Sequence, residues 1–193
     1  MRKIDIKSMT IKELSELLDN FNQPRFRAEQ IFKWLHSGAL SFDEMTNISV
    51  VNRQKISEHF EVGLSFPIEC CQSIDGTKKY LFQVNNHYIE SVFIPEAERA
   101  TLCCSTQVGC KMNCLFCATG EQGFSAHLTA SEILNQIFSI PESEQLTNVV
   151  YMGMGEPFDN LDSVLSSLSI LTSDYGLAWS PKRITVSSVG LLP

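Results

Sequence analysis

The sequence predicts an α/β protein, and three observations lead to that prediction. Apolar side chains recur at helical spacing in residues 1–62, apolar and polar side chains alternate in residues 63–99, and strands alternate with helices in residues 100–193. The last pattern is typical of βαβ units around a parallel sheet. We therefore expect a small N-terminal helical module, an antiparallel β linker and a parallel β/α segment.

Length and composition favour one sizeable core. The chain has 193 residues, 44% of them hydrophobic, and its apolar runs are shorter than the roughly 18 residues of a membrane span. The charged N-terminus has no apolar stretch after it, so we expect no signal peptide and no membrane association. Seven cysteines, an odd number, suit a reducing cytoplasm better than a disulfide framework. We therefore expect a cytoplasmic protein.

The net charge of −7 comes entirely from residues 63–193, because residues 1–62 hold nine basic and nine acidic side chains. The charge pattern alone gives no support for nucleic-acid binding, which usually needs a basic face. The nearest approach to a basic patch is Arg25, Arg27 and Lys33, which the pattern alone assigns to a solvated helix face.

Helix and strand signals follow one another along the chain. Thr10 with Glu13, and Thr129 with Glu132, have the form of capping boxes that open helices. The expected helices are 11–21, 24–36, 41–47, 52–60, 129–139 and 162–171, and the expected strands are 68–71, 79–84, 88–94, 100–104, 147–152 and 184–187. Phe26, Trp34, Cys70 and Cys71 are expected to be core residues.

Three cysteines with the spacing C-x3-C-x2-C, Cys110, Cys114 and Cys117, form the strongest functional signal. Soft thiolates favour iron-sulfur clusters, zinc or copper(I). The spacing matches neither the two-cluster ferredoxin run nor the paired units of structural zinc sites. Three thiolates leave one iron of a four-iron cluster open to a small molecule. The alternative is a zinc site with Cys103, Cys104 or His127 as the fourth ligand.

Two further candidate segments, Gly155-Glu156 and Ser187, follow predicted parallel strands, as the cysteine loop does. Ligands of such sheets bind at the carboxyl ends of the strands, so we expect these segments to lie together. Glycine permits close approach of the backbone to a ligand, and a carboxylate can accept hydrogen bonds from an ammonium group.

The cysteine motif, with Phe116 before its last cysteine, resembles the radical S-adenosylmethionine enzymes. Several segments also resemble the radical S-adenosylmethionine adenine-C2 methyltransferases of 23S rRNA and tRNA, namely 24–30, 99–103, 105–110, 120–124 and 152–157. The resemblance implies that residues 100–193 form the first three strands of a radical-SAM (β/α) barrel. It also implies a 4Fe-4S cluster on Cys110, Cys114 and Cys117, with the amino and carboxylate groups of S-adenosylmethionine on the open iron.

The same resemblance implies roles for other residues. Gly155, Glu156 and Ser187 would contact S-adenosylmethionine, although the adjacent Ser188 leaves an ambiguity of one residue. Glu90 would be the proton acceptor. Cys103 would resolve a covalent RNA–protein intermediate through a transient disulfide bond. Because Cys104 follows it, where the family more often has valine, the sequence does not decide which thiol acts.

The resemblance implies methylation of adenine C2 in 23S rRNA and tRNA through a methyl-cysteine intermediate, with an electron donor such as flavodoxin and a monomeric enzyme. Family members are roughly twice as long, and the cysteine that carries the methyl group lies in their later half. No cysteine follows Cys117 here, so we expect a fragment or truncated product. The alternatives are a radical enzyme acting on a non-RNA substrate, which the acidic residues 63–193 favour, and a non-catalytic zinc- or RNA-binding remnant.

Overall fold

A computed structural model of the chain describes residues 3–191. The strands are β1 (Ile4–Asp5), β2 (Phe60–Glu61), β3 (Glu69–Gln72), β4 (Lys78–Val84), β5 (His87–Pro95), β6 (Ala100–Cys103), β7 (Gln107–Gly109), β8 (Phe124–His127), β9 (Asn148–Tyr151) and β10 (Ile184–Val186). The helices are α1 (Ile11–Asn20), α2 (Phe26–His36), α3 (Val50–His59), α4 (Ala118–Glu121), α5 (Ala130–Phe138) and α6 (Leu161–Thr172). None of the helices in this described range is long and apolar enough to span a bilayer.

The central feature is a mixed sheet of six strands in the order β10-β9-β6-β5-β4-β3. β3, β4, β5 and β6 pair antiparallel, whereas β6, β9 and β10 pair parallel. This confirms the predicted α/β class, the meander and the three parallel strands. The sheet runs through residue 100, where Pro95 pairs with Ala100, so the meander and the parallel strands share one set of hydrogen bonds. The boundaries after residues 62 and 99 stay predictions.

The two faces of the sheet differ in their environment. One face carries the buried side chains of Phe93, Leu102, Val149 and Tyr151, and the Tyr151 hydroxyl is 2.9 Å from the Ser167 hydroxyl of α6. On the other face, strand register aligns a row of side chains across all six strands: Cys71, Lys79, Val92, Cys103, Val150 and Thr185. The members of this row are partly or fully exposed. We call this side of the sheet the open face.

The N-terminal helices largely follow the prediction. Both capping boxes form, with the Glu13 and Glu132 backbone N–H groups donating to the Thr10 and Thr129 hydroxyls at 3.3 and 3.2 Å. The helix expected at 41–47 is wrong, since only Phe42–Glu44 forms a single 3-10 turn. The side chain of Asn47 instead accepts a hydrogen bond from the Trp34 indole at 2.7 Å.

Four expectations about burial are wrong. Phe26 is 54% exposed, because it begins α2 on the side away from the core. Cys70 and Cys71 are exposed, because β3 is an edge strand with every residue exposed. Arg27, expected on a solvated face, is buried one position before the core residue Ala28, and its guanidinium donates to the Gln30 side chain at 2.8 Å.

Candidate functional site

The cysteine loop projects from a two-stranded hairpin formed by β7 and β8. Gln107 pairs with His127 at its open end, and a register shift occurs between Val108 and Gly109. The Cys110 N–H donates to the Gly123 carbonyl at 3.0 Å and closes the base of the loop. The two ends of the loop are therefore held together, while its cysteines lie beyond the last pair of the hairpin.

The three thiols of the motif differ in their exposure to solvent. Cys110 is buried, Cys114 and Cys117 are half-buried, and all seven cysteines are free. The Met112 N–H points at the Cys110 sulfur at 3.5 Å, a contact of the kind that supports cluster-bound thiolates. Neighbouring Leu115 and Phe116 are almost fully exposed. Three free thiols on one projecting loop, one with a backbone donor, fit a 4Fe-4S cluster.

The described side chains do not form a binding site for a single metal ion. Within residues 3–191, no three His, Cys, Asp or Glu side chains lie close enough to bind one metal ion. An iron-sulfur cluster does not require such convergence, because each thiolate binds a different iron.

The Gly153–Glu156 turn after β9 lies against the chain that leads from β6 into the cysteine loop. The Met154 carbonyl accepts the N–H groups of Thr106 and Gln107 at 2.8 and 3.1 Å. Gly155 has φ +103°, and a β-carbon there would lie 2.6 Å from the Gln107 β-carbon. Only glycine combines this backbone angle with this approach. The turn is therefore in direct contact with the start of β7, the hairpin strand that leads into the cysteine loop.

Glu156 is buried and joins the carboxyl ends of β9 and β10. Its N–H donates to the Gln107 side-chain carbonyl at 2.9 Å. Its two carboxylate oxygens accept the backbone N–H groups of Phe158 and Val189, each at 3.0 Å. The carboxylate thus holds the segment after β10 against the turn after β9. Contact between this carboxylate and an ammonium group of a ligand stays a prediction.

The two serines after β10 differ in their surroundings. The Ser188 hydroxyl accepts the Gly190 N–H at 3.0 Å, whereas Ser187 is exposed. Ser187 directly follows the end of β10, two positions after Thr185 of the open face. This geometry favours Ser187 as the serine available to a ligand, and its role stays a prediction.

Glu90 is linked to both the open face and the turn after β9. Its carboxylate lies 2.8 Å from the Lys79 ammonium. Its backbone carbonyl accepts the Ser105 hydroxyl at 2.6 Å, and that hydroxyl accepts the Met154 N–H at 2.9 Å. Ser105 therefore connects the strand of Glu90 with the turn that contains Gly155.

Cys103 and Cys104 point to opposite faces of the sheet. Cys103 is half-buried on the open face. Cys104 is completely buried on the opposite face, which also carries Leu102. Burial raises the pKa of the Cys103 thiol, although a backbone hydrogen bond at Met152 opposes the rise. Burial, and then the neighbouring Cys103, raise the pKa of Cys104 well above its usual value. Access therefore favours Cys103 as the reactive thiol.

A polar group that the sequence did not single out lies beside the cysteine loop. The Gln107 amide nitrogen donates to the Asp159 carboxylate at 2.7 Å, and the Lys111 ammonium lies 2.9 Å from the same carboxylate. Burial alone would raise the pKa of Asp159, but the hydrogen bonds from Lys111 and Gln107 hold it below its usual value. Both partners of Asp159 lie about 50 residues earlier, so spacing could not reveal them.

Comparison with known proteins agrees with this geometry. The family model described as the ribosomal RNA large subunit methyltransferase N-terminal domain matches residues 4–62, and the radical SAM superfamily model matches residues 104–193. A crystal structure of a radical SAM methyltransferase from Sphaerobacter thermophilus superimposes with a TM-score of 0.89 and 36% identity, over 97% of this chain and 57% of that chain.

Curated relatives carry one shared name. A "Probable dual-specificity RNA methyltransferase RlmN" from Phocaeicola vulgatus is 58% identical over 98% of this chain and 55% of its own length. The protein of the same name from Bacteroides thetaiotaomicron is 57% identical over 99% of this chain and 56% of its own length. The "Dual-specificity RNA methyltransferase RlmN" of Syntrophus aciditrophicus is 44% identical over the whole chain. The chain spans about 55% of the length of these relatives.

The fold, the three-cysteine loop and the matched models define a partial radical S-adenosylmethionine domain. Within this class, the relatives that match nearly the whole chain are proteins named RlmN. The chain belongs to the RlmN family of radical SAM RNA methyltransferases.

Proposed function

We propose that this chain acts in the methylation of carbon 2 of adenine in 23S rRNA and tRNA, by a radical S-adenosylmethionine mechanism through a methyl-cysteine intermediate. The observation that carries the proposal is the contact between the turn at Gly155 and the start of β7, the strand that leads into the cysteine loop, with the segment after β10 bonded to the same turn. This brings the candidate cluster loop and both candidate cofactor segments to one edge of the sheet. Family membership supports the RNA substrates.

Three cysteines would hold the 4Fe-4S cluster: Cys110, Cys114 and Cys117. Gly155, Glu156 and Ser187 would contact S-adenosylmethionine beside it. Bound together, the two cofactors supply a carbon-centred radical, which a carbon without nucleophilic character such as adenine C2 requires. The remaining requirement on the protein is to position the adenine and to exclude side reactions.

The open face offers the two other proposed groups. Glu90 would accept the proton that leaves adenine C2, and the nearby Lys79 ammonium would keep a positive charge beside the carboxylate. Cys103 would form the transient disulfide with the family's methyl-carrying cysteine, whose sulfur–carbon bond to the RNA would break in that step while the released carbon takes a proton. The Cys103 thiol reaches the open face, whereas that of Cys104 does not. The cysteine that carries the methyl group in the family has no counterpart after Cys117 in this sequence.

The proposed partners are 23S rRNA, tRNA and a reductant such as flavodoxin, and the proposed state is a monomer. The net charge of −7 gives the chain as a whole no electrostatic attraction for RNA. Recognition would therefore depend on local contacts rather than on overall charge.

Anaerobic reconstitution of the 193-residue chain tests the cofactor part of the proposal. About four irons and four acid-labile sulfides per chain, with a spectrum that shifts on addition of S-adenosylmethionine, are expected for an open four-iron cluster. The variant Cys114→Ala should lose the cluster, whereas Cys70→Ala, which alters an exposed cysteine on β3, should keep it. Zinc bound without iron or sulfide would contradict the proposal.

The substrate part needs a second assay. The loaded protein is incubated with a reductant, S-adenosylmethionine and a 23S rRNA fragment or tRNA, and 2-methyladenosine is measured by mass spectrometry. Because no methyl-carrying cysteine follows Cys117, this chain alone is expected to release 5′-deoxyadenosine and to leave the RNA unmodified. Methylated adenine would support the RNA substrate but contradict the methyl-cysteine route. Release of 5′-deoxyadenosine that a non-RNA substrate stimulates and RNA does not would favour the alternative that the acidic residues 63–193 suggest.

A further inference from the structure

The outer part of the cysteine loop is exposed, and its backbone hydrogen bonds, such as that from the Cys117 N–H to the Cys114 carbonyl at 3.0 Å, are local to the loop. Leu115 and Phe116 are almost fully exposed, and Cys114 and Cys117 are only half-buried. The hairpin fixes the base of the loop through Cys110, and the Met154 carbonyl binds the start of β7, but these contacts do not reach the outer part of the loop. A loop that would carry the cluster needs a reference point to the turn at Gly155, because the residues proposed to contact S-adenosylmethionine lie on that turn and on the segment bonded to it.

Lys111 supplies a side-chain contact from the loop to that region. Its ammonium lies 2.9 Å from Oδ2 and 3.2 Å from Oδ1 of Asp159, and 4.3 Å from the centre of the Phe124 ring. Asp159 belongs to the 3-10 turn Pro157–Asn160, which directly follows Glu156. The loop is therefore tied to the chain that leaves the candidate cofactor segment.

The side chain of Gln107 holds Asp159, the acidic partner of this ion pair, beside the Glu156 backbone. The Gln107 side chain is completely buried, and both ends of its amide are used. The nitrogen donates to Asp159 at 2.7 Å and lies 3.1 Å from Nδ1 of His127, and the oxygen accepts the Glu156 N–H at 2.9 Å. A buried amide with both ends bonded has one orientation, so the distances it sets are well defined.

We infer that Lys111, Asp159 and Gln107 form a positioning relay that holds the cluster loop in register with the Gly155-Glu156 turn, and thereby sets how tightly S-adenosylmethionine binds to the loaded protein. This inference rests on the proposed function. The three side chains are positioning residues, because they act through the loop and the turn rather than as ligands. Their effect should appear in cofactor binding, while the three cysteines still assemble the cluster.

The test uses the reconstituted full chain with the variants Asp159→Asn and Lys111→Met. Both variants should keep wild-type iron and sulfide content. The dissociation constant for S-adenosylmethionine, measured by equilibrium dialysis with radiolabelled cofactor, should rise about three- to tenfold, since the ion pair is partly exposed but bonded to a buried amide. S-adenosylmethionine also changes the electron paramagnetic resonance spectrum of the reduced cluster. In the variants this change should require correspondingly higher concentrations of S-adenosylmethionine.

Two further variants separate positioning from loss of charge. Lys111→Arg preserves the cation and should bind S-adenosylmethionine nearly as the wild type does. Lys12→Met removes the same charge from an exposed ion pair with Glu16, at 4.0 Å in α1, and should leave both cluster and cofactor binding unchanged. If Asp159→Asn does not fold, Lys111→Met decides the question, because that side chain is 44% exposed.

Several results would overturn the relay. An unchanged dissociation constant in Lys111→Met at full iron content would show that the pair does not position the cofactor. An equal rise in Lys12→Met would assign the effect to net charge. Loss of iron from the variants alone would make the pair a support of the cluster itself. Absence of iron from the wild type would be a different failure, because it would remove the proposed function and the relay together.

Discussion

The Lys79 ammonium lies 2.8 Å from the Glu90 carboxylate on the open face of the sheet, diagonally across β4 and β5. The hydrogen bond to Glu90, followed by the charge of that carboxylate, raises the pKa of Lys79 above 10.5. The raised pKa means that the folded state binds the lysine proton more tightly than the unfolded state does. The contribution to stability is therefore complete below pH 10.5 and is lost as the pH rises through the folded pKa.

The variant Glu90→Gln should lower the pKa of Lys79 toward 10.5, because it removes the largest cause of the rise. Titration of the lysine Cε carbon by NMR measures this directly. Glu69→Gln is the matched control, since Glu69 is the smallest contributor to the same rise. A Lys79 pKa that responds equally to both substitutions would mean that the ion pair with Glu90 does not persist in solution.

Gly155→Ala should destabilise the fold more than Gly38→Ala does. Both glycines have positive φ, +103° and +89°, so each alanine is expected to cost about 1–2 kcal/mol in backbone strain. Only the β-carbon at position 155 meets a neighbour, the Gln107 side chain at 2.6 Å, which should add about 1–3 kcal/mol.

Urea unfolding of the two variants compares their free energies of unfolding. At Gly38 nothing lies within 4 Å of the added β-carbon, so that variant measures backbone strain alone. Equal losses in the two variants would show that the turn after β9 can move away from Gln107. Such a turn would not hold the cofactor segments together.

Local signals in the sequence predicted most of the secondary structure. The Thr10 and Thr129 capping boxes opened helices as expected, because a cap involves groups only three residues apart. Strand alternation likewise found β4 and β5. It could not tell that β3 is an edge strand, because this depends on which strand pairs beside it, and so Cys70 and Cys71 were wrongly expected in the core.

The candidate site was predicted in outline but not in its connections. Residues that follow parallel strands must meet at one edge, so Gly155 and the cysteine loop could be placed together in advance. The contact of Asp159 with Gln107 joins residues 52 positions apart and depends on how the turn after β9 folds back. Arg27 shows the same limit, because its burial depends on packing around α2 rather than on its charge.

The cysteines should differ widely in their rates of alkylation. In the cluster-free protein, N-ethylmaleimide should modify the exposed Cys70 and Cys71 first and Cys103 more slowly, because burial raises the pKa of Cys103. Cys104 should react only in urea, since it is completely buried. Peptide mass spectrometry gives the order, and faster labelling of Cys104 than of Cys103 would reverse the proposed assignment of the disulfide-forming thiol.

Lys7→Met should stabilise the protein at pH 7. Lys7 is completely buried, its ammonium lacks a hydrogen-bond partner within the described residues, and it lies 4.8 Å from the centre of the Phe138 ring. Burial lowers the pKa of Lys7 to about 8, although Asp5 opposes the shift. A buried charge of this kind is expected to cost about 1–3 kcal/mol, which methionine of similar volume would recover.

The pH dependence separates this effect from simple repacking. Between pH 8 and 10.5 the unfolded chain holds a proton on Lys7 that the folded chain has released, so the cost of burial falls as the pH rises. The advantage of Lys7→Met over the wild type, measured by urea unfolding, should therefore be largest below pH 8 and shrink toward pH 10.5. A constant advantage would show that the lysine charge is not the cause.

His36 should make the fold sensitive to acid. It is buried between Phe32 and Phe138, with ring centres 4.3 and 5.5 Å away, and burial, followed by the charge of Lys7, lowers its pKa to about 3. As the pH falls from 6.5 toward 3, His36 binds a proton in the unfolded state but not in the folded state. The free energy of unfolding therefore decreases across that pH range. His36→Phe should remove much of this loss of stability. The loss is on the order of 1.4 kcal/mol per pH unit below 6.5, which amounts to several kcal/mol at pH 4. The exposed His87→Phe is the matched control and should leave the acid sensitivity unchanged, so an equal effect of both variants would place the acid-sensitive group elsewhere.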